Sequence, residues 1–354
     1  RASYTGTLDA GYDRFTTLLH GGFDGFDVTE RDPFRLSNST FEGVTKETES
    51  YQLETLKRAI NIVSDSEQNQ YNLISVPGVT QNAVTDFLVD TVEERGDALA
   101  IIDLQNVYTP DTESTASAAV RNNFTVQQVV DGLKDRNIDS SYAATYYPWV
   151  LVQDPVSNRL VYCPPSVAAL GALSTTDRNA APWYAPAGFA RGGLSEGAAG
   201  IPVLDVSRRL TSSERDSLYD VGINPIAKFP AEGIVIFGQK TLQQTSSALD
   251  RINVRRLMIF LKREISFIAS RLLFRANTQE TWNAFLAQAT PVLDSVKSQF
   301  GVDDFRLILD ETTTTPDLVD RNIIYAKLLV KPTRTAEFFA IDFVVTNSGA
   351  SFED

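Results

Sequence analysis

The chain holds one cysteine, one histidine and one methionine among 354 residues. A single thiol, Cys163, cannot close an internal disulfide or build a multi-cysteine metal centre. It stands beside Pro164 at the end of an apolar run, where cysteine serves as a small buried hydrophobe. The single imidazole, His20, is all that a Ser-His-Asp or Cys-His enzyme could recruit as a proton acceptor. It lies in a Gly-flanked segment far in sequence from Cys163 and Ser166. Positive charge is short as well: 32 Lys and Arg against 45 Asp and Glu leave a net charge of −13. That balance opposes non-specific binding to nucleic acid or anionic membranes, which needs a basic field. No apolar run approaches the roughly 18–20 residues of a membrane-spanning helix, so no membrane insertion is expected. No charged-then-apolar leader is visible and the first residue is Arg1, so the chain reads as a fragment whose N-terminal part is missing.

Phosphate-binding signatures are equally scarce. No G-x-x-x-x-G-K-[ST] occurs, and SVPGVT (75–80) lacks the glycine spacing of a dinucleotide loop. HGGFDG (20–25) has the glycines without a preceding apolar strand, and reads as a chain reversal. Acidic residues gather at Asp303, Asp304, Asp310, Glu311, Asp317 and Asp320, but their spacing departs from a calcium loop. Capping and solvation account for them: Asp317 falls in the first turn of a short helix with Thr315 at its N-cap and Pro316 at N1. No metal or cofactor is expected.

What is present is an ordinary globular core, with 43% hydrophobic and 22% charged residues. Residues 1–46 are polar and read as a connector. From 47 to 240, short apolar strands alternate with helices. Leu53, Leu56, Ile60 and Val63 mark the first helix, Val84, Leu88 and Val92 the second, and Val126, Val129, Val130 and Leu133 the third. NLISVPG (72–78), LAIIDL (99–104), YAATYYPWVLV (142–152), RLVYC (159–163) and GIVIFG (233–238) are the strands. PPSVAALGAL (164–173) opens one further helix and 212–222 another. Such alternation predicts an α/β layered domain with a mainly parallel sheet covered on both faces.

From 245 to 354 the pattern becomes a smaller α+β domain. Ser247 and Asp250 resemble a capping box at the start of a long helix. That helix carries Val254, Leu257, Met258, Leu261, Ile265, Ile268 and Leu272 on one side. A second carries Trp282, Phe285, Leu286, Ala289, Leu293 and Val296, bent at Pro291. FRLILD (305–310) is a strand, and 323–332 with 336–346 reads as a β-hairpin.

Two features stand out. On the first long helix, Arg256, Phe260, Arg263, Phe267 and Phe274 fall on one face opposite the aliphatic stripe. Arg and aromatic residues are enriched at interfaces; the competing reading packs this face on the chain's own α/β domain. Lys297 of the second helix joins the candidates for contact with a neighbour. The other feature is APWYAPAGFARGG (181–193). Trp183 and Tyr184, set between Pro182 and Pro186, are expected to clamp this loop onto the α/β domain, with Gly188, Gly192 and Gly193 turning the backbone.

Several of these words occur together in one family. GGFDG (21–25), ISVPGV (74–79), YYPWV (146–150), VYCPPSVAALGALSTTD (161–177) and APWYAPAG (181–188) are joined by GINPI (222–226) and LDRINVRRL (249–257). DFRLILDET (304–312), TPDLVDRN (315–322) and VKP (330–332) complete the set. In this order they resemble the contractile-tail sheath proteins of myovirus-type bacteriophages. The resemblance implies a subtilisin-like α/β domain followed by a sheath C-terminal domain, with the helix after PPS where a subtilisin keeps its nucleophile. The lone histidine departs from the protease pattern, so the fold is expected without the chemistry.

The resemblance further implies a structural subunit of the virion, made in the host bacterial cytoplasm. It would polymerise with itself as stacked rings around an inner tail tube protein, meet baseplate and tail terminator proteins, and contract to drive the tube through the envelope. Arms would link neighbours by strand addition, placing Ile323, Tyr325, Phe339, Ile341 and Phe343 in a strand-exchange hairpin. The alternatives are the sheath of a bacterial contractile injection particle, a subtilisin-fold hydrolase and a nucleotide-binding module.

Overall fold

Residues 51–337, apart from 106, 110–116, 122, 196–199 and 201, are described by a computed structural model. The chain divides into two units, Arg1–Thr55 and Leu56–Asp354; the architecture below is that of the second. Helix α1 spans Tyr51–Val63. There follow β1 (Leu73–Ser75), α2 (Asn82–Arg95), β2 (Leu99–Ile102), α3 (Ala118–Arg121), α4 (Val126–Arg136) and β3 (Ala143–Tyr147). Next come β4 (Val150–Gln153), β5 (Leu160–Cys163), α5 (Pro165–Asn179), β6 (Val203–Val206), α6 (Ser212–Asp220), β7 (Ile223–Phe229) and β8 (Gly233–Ile236). The last part holds α7 (Ile252–Ser270), α8 (Gln279–Ser298), β9 (Val302–Ile308), α9 (Pro316–Asp320) and β10 (Lys327–Pro332).

A five-stranded sheet in the order β1-β2-β3-β7-β8 forms the centre. Its first four strands are parallel and β8 returns antiparallel against β7. The apolar runs made this legible: β2 and β3 are buried at every position, as strands covered on both faces must be. Leu99 and Ile101 join a core cluster with Ala168, Ala169 and Ala172 of α5. Small residues there let the helix lie close on the sheet. By strand alternation Ala100 and Ile102 point to the opposite face, where they are equally buried.

Local chemistry sets the helix ends. Thr125 with Gln128, and Thr211 with Glu214, form complete capping boxes at the starts of α4 and α6. Gly96 and Asn137, both left-handed, stop α2 and α4.

Three expectations need correction here. The strand foreseen over 142–152 is two strands, β3 and β4, that belong to different sheets. Pro148 intervenes with no N–H to continue a ladder, and β4 pairs antiparallel with β5 and β6 instead. Strand β7, absent from the expected strands, is central and buried from Ile223 to Ala227. Its ladder tolerates Pro225 because the Asn224 side chain donates to Thr145 O at 3.0 Å and accepts from Lys240 N at 2.6 Å. Ser247 does not cap the long helix; it accepts from Leu249 N and caps a short 3-10 turn, Ala248–Asp250, before α7.

In the C-terminal part α7 and α8 pack on the antiparallel pair β9–β10, which places Leu257, Leu261, Leu293 and Val296 against Phe305, Leu307, Leu328 and Val330. The C-terminus of α8 stores some strain. Phe300 takes the left-handed conformation (φ 58°) while largely exposed, and Gly301 N donates to Val296 O at 2.9 Å. A Cβ on Gly301 would meet Val296 Cγ1 at 2.6 Å and Trp183 Cδ1 at 3.0 Å. These two neighbouring residues therefore predict opposite effects. Phe300→Gly should stabilise the protein by about 0.5–1 kcal/mol, since it relieves the left-handed penalty. Gly301→Ala should destabilise it by about 1–3 kcal/mol through overpacking. Urea unfolding measures both, and equal signs would contradict this description of the helix end.

Candidate functional site

The Arg/Phe ladder of α7 divides into an inner and an outer half. Arg256 is only 2% exposed and forms an ion pair with Asp177 near the end of α5. Phe260 packs edge-on against Trp183, with ring centroids 5.2 Å apart. Arg263 is exposed, with Nη2 3.4 Å from Gln70 Oε1. Phe267 is 52% exposed and the Arg271 guanidinium lies 4.1 Å over its ring. Phe274, expected on the same helix, lies beyond its end at Ser270, fully exposed and in the left-handed conformation (φ 64°). Arg256 and Phe260 thus serve the chain's own packing, and Phe267, Arg271 and Phe274 face outward. Lys297 pairs with Asp304 at 2.8 Å and lies over the Phe305 ring.

Arg255, which the sequence reading left aside, is buried beside Arg256. Its guanidinium stacks 3.9 Å over the Tyr142 ring and bonds Ser141, and burial holds its pKa below the usual arginine range. Two adjacent arginines therefore fasten the first turns of α7 to the α/β layer, one at the start of β3 and one near the end of α5. The one sequence signal was an Arg-Arg pair amid the apolar positions Ile252, Val254, Leu257 and Ile259.

Trp183 and Tyr184 bond a different partner from the one expected. Trp183 Nε1 and Tyr184 Oη both donate to Gln299 O, at 3.2 and 3.0 Å, at the end of α8. Asn253 Nδ2 lies 3.4 Å from Trp183 O. Terminal helix carbonyls lack intrahelical donors, and the indole and phenol supply two. The loop's glycines serve the α/β side. Gly192 approaches Ile236 O so closely that a Cβ would lie 2.5 Å from it, and Ile236 N donates to Gly192 O at 2.8 Å. Leu194 N donates to Ile234 O at 2.8 Å, so the loop covers the outer edge of β8.

The expected strand-exchange hairpin falls largely outside the described residues, which end at 337. Strand β10 begins at Lys327 and pairs antiparallel with β9. Ile323 and Tyr325 are exposed ahead of it, Tyr325 being held through its N–H and carbonyl by Thr314 Oγ1. Phe339, Ile341 and Phe343 lie outside the described residues. So does His20.

The place where an α/β enzyme would carry its chemistry, beyond the C-terminal ends of the parallel strands, is filled by a carboxylate. Asp103, directly after β2, accepts from Gly78 N at 2.9 Å, Ser166 N at 3.2 Å and Ser166 Oγ at 2.7 Å. Ser166 is 0% exposed, and Asp103 is 1% exposed. Burial pushes the Asp103 carboxyl above the usual range, against the pull of those three hydrogen bonds. This cluster ties the β1 turn and β2 to the N-terminal end of α5. The Cys163 thiol is pushed up by burial, which disfavours the reactive thiolate.

The acidic cluster of the C-terminal part is spoken for locally. Asp310 accepts from Thr312 N and Thr313 N, and Asp303 from Thr333 Oγ1. Among the described residues no group of three or more His, Cys, Asp or Glu is placed to hold a metal ion, and no helix is long and apolar enough to cross a membrane.

Comparison with known proteins follows this two-part division. Residues 54–242 match the phage tail sheath protein central domain and residues 244–346 the phage tail sheath C-terminal domain. The tail sheath protein of Vibrio phage KVP40 is 36% identical over 228 residues, covering 64% of this chain and 33% of that protein. That of Enterobacteria phage T4 is 31% identical over 218 residues, covering 62% of this chain and 32% of that protein. The chain thus spans about a third of the length of these relatives. In fold it is similar to the contracted sheath complex of the extracellular contractile injection system PVC. The TM-score is 0.64 at 21% identity, over 83% of this chain and 74% of that one. With the central-domain match alone covering more than half its length, the chain belongs to the phage tail sheath protein family.

Proposed function

We propose that the chain is the central and C-terminal part of a contractile phage tail sheath subunit. In this reading full-length copies stack as rings around an inner tail tube, meet baseplate and terminator proteins at the ends, and contract to drive the tube through the host envelope. The observation that carries it is the match of both parts of the chain, in order, to the two sheath domains. Sequence identity of 36% and 31% to phage sheaths, against 21% to the injection-system sheath, favours the phage. The subunit is proposed to be non-catalytic: a serine that donates directly into a buried carboxylate, with neither group accessible, serves packing rather than nucleophilic attack.

A contracting sheath asks its subunits to move as stiff bodies with interfaces that break and re-form. Paired arginines fastening α7 to the α/β layer suit the first demand. The outward Phe267–Arg271 stack suits the second, because moderate, partly charged contacts exchange more readily than large apolar ones.

Electron microscopy of the full-length protein is the direct test, and tubes or polysheaths with a helical repeat are expected. Failure to polymerise under any assembly condition would count against the reading. In the same assay Phe267→Ser with Arg271→Glu should raise the critical concentration about tenfold or more, the scale of one interface hot spot. Its melting temperature should stay near that of the parent. Unaltered assembly would remove this surface from the interface.

Asp103→Asn tests the filled site. Asn presents one acceptor where Asp103 presents two, so a loss of about 1–3 kcal/mol is expected. The pH dependence has a definite sign. With its folded pKa raised, Asp103 contributes stability that is fully present below its unfolded value, near 3.9, and lost as pH rises through the folded value. The stability difference between parent and variant should therefore shrink as pH rises from about 4, and a growing difference would contradict a raised pKa. A fluorophosphonate probe is expected to label no serine.

A further inference from the structure

The last described residue, Glu337, is held by three donors from three separate parts of the chain. Arg251 Nε donates to Oε1 at 2.7 Å, Gln239 Nε2 to the same oxygen at 3.1 Å, and Tyr219 Oη to Oε2 at 3.0 Å. Tyr219 belongs to α6, Gln239 follows β8, and Arg251 immediately precedes α7. Gln239 is 3% exposed and also donates to Thr335 Oγ1 at 2.6 Å. Arg251 is braced in turn by Asp250 at 3.1 Å. The Glu337 side chain is 16% exposed. Directly after β10 ends at Pro332, Thr333 donates through its hydroxyl to Asp303 and through its N–H to Gly301 O. The stretch 333–337 has no strand or helix of its own, yet it is bound at Thr333, Thr335 and Glu337.

We propose that Glu337 is a pin that fixes the root of segment 338–354 to the α/β layer. Three charge-assisted or buried hydrogen bonds onto one carboxylate exceed what a surface residue needs. They fall where the chain would otherwise peel away from β10. The consequence is mechanical and rests on the sheath reading. If 338–354 links one subunit to the next, displacement passes between subunits only when the root is fixed. Release of 333–337 would add about 17 Å of slack, five residues at about 3.3–3.6 Å each. The pin therefore directs pull from the terminal segment into the α/β layer instead of unzipping β10 from β9. Arg251 and Tyr219 are the positioning residues of this joint.

Hydrogen exchange of the 354-residue chain tests the pin. In Glu337→Ala, peptides covering 333–337 should exchange at least tenfold faster, while those of β9 and β10 keep the parent rate. Glu337→Gln, which keeps the shape and loses the charge, should fall between. Arg251→Ala should reproduce the faster exchange, and the double variant should go little beyond either single one. Unchanged exchange at 333–337 in Glu337→Ala would overturn the proposal. So would an equal acceleration throughout β9 and β10, which marks general destabilisation. Polymerisation of the full-length protein is scored separately. Lost protection without polymers keeps the pin and discards the sheath reading, and polymers with unchanged protection do the reverse.

Discussion

The ion pair between Arg256 and Asp177 is the constraint around which the chain is arranged. A guanidinium 2% exposed must have a partner, and Asp177 supplies it by bringing the end of α5 against the second turn of α7. Removing either member of such a pair typically costs about 3–5 kcal/mol, because the survivor is left uncompensated. Once α7 is set there, its neighbours follow. Arg255 reaches the start of β3, Asn253 the backbone of Trp183, and the aliphatic stripe turns toward α8 and the β9–β10 pair. The long helix is thus the spine shared by both sheath domains.

A second consequence concerns the α/β layer. It retains the parallel sheet and the helix start that serve catalysis in many folds, but the crevice is occupied from within. Asp103 satisfies the Gly78 and Ser166 amides and the Ser166 hydroxyl at once. What remains of such a site is a buried joint between two strand–helix connections. A joint so buried and so fully bonded stiffens the layer and leaves neither the serine nor the carboxylate accessible.

Much of this was legible in the sequence, and the misses have identifiable causes. Buried parallel strands announce themselves through unbroken apolar runs, as LAII of β2 does. The helices of the C-terminal part are marked by a stripe whose Leu257, Leu261 and Ile268 are all buried. Pro148 divides a run that looked continuous, and β7 was missed; it holds Pro225 in its interior, where the Asn224 side chain bonds Thr145 O and Lys240 N on either side. Half of the Arg/Phe ladder is internal because its partner, Asp177, lies 79 residues away; helical periodicity describes one helix and is silent on what comes to meet it. The loop at Trp183 was expected on the α/β domain, but the atom its indole bonds, the Gln299 carbonyl, is a backbone atom with no sequence signature. The surroundings of Glu337 were unreadable for the same reason, being assembled from three distant segments.

The central claim is that the α/β layer and the α7–α8–β9–β10 part form one stiff body. Two natural probes stand on either side of the joint: Trp149 beside β4 and Trp282 in α8, 7% and 6% exposed. Single-tryptophan variants retaining one or the other can be unfolded in urea and followed by fluorescence. Coincident midpoints and slopes are predicted, since neither side should unfold without the other. Two separated transitions, with the Trp282 side melting while the Trp149 side persists, would contradict the claim.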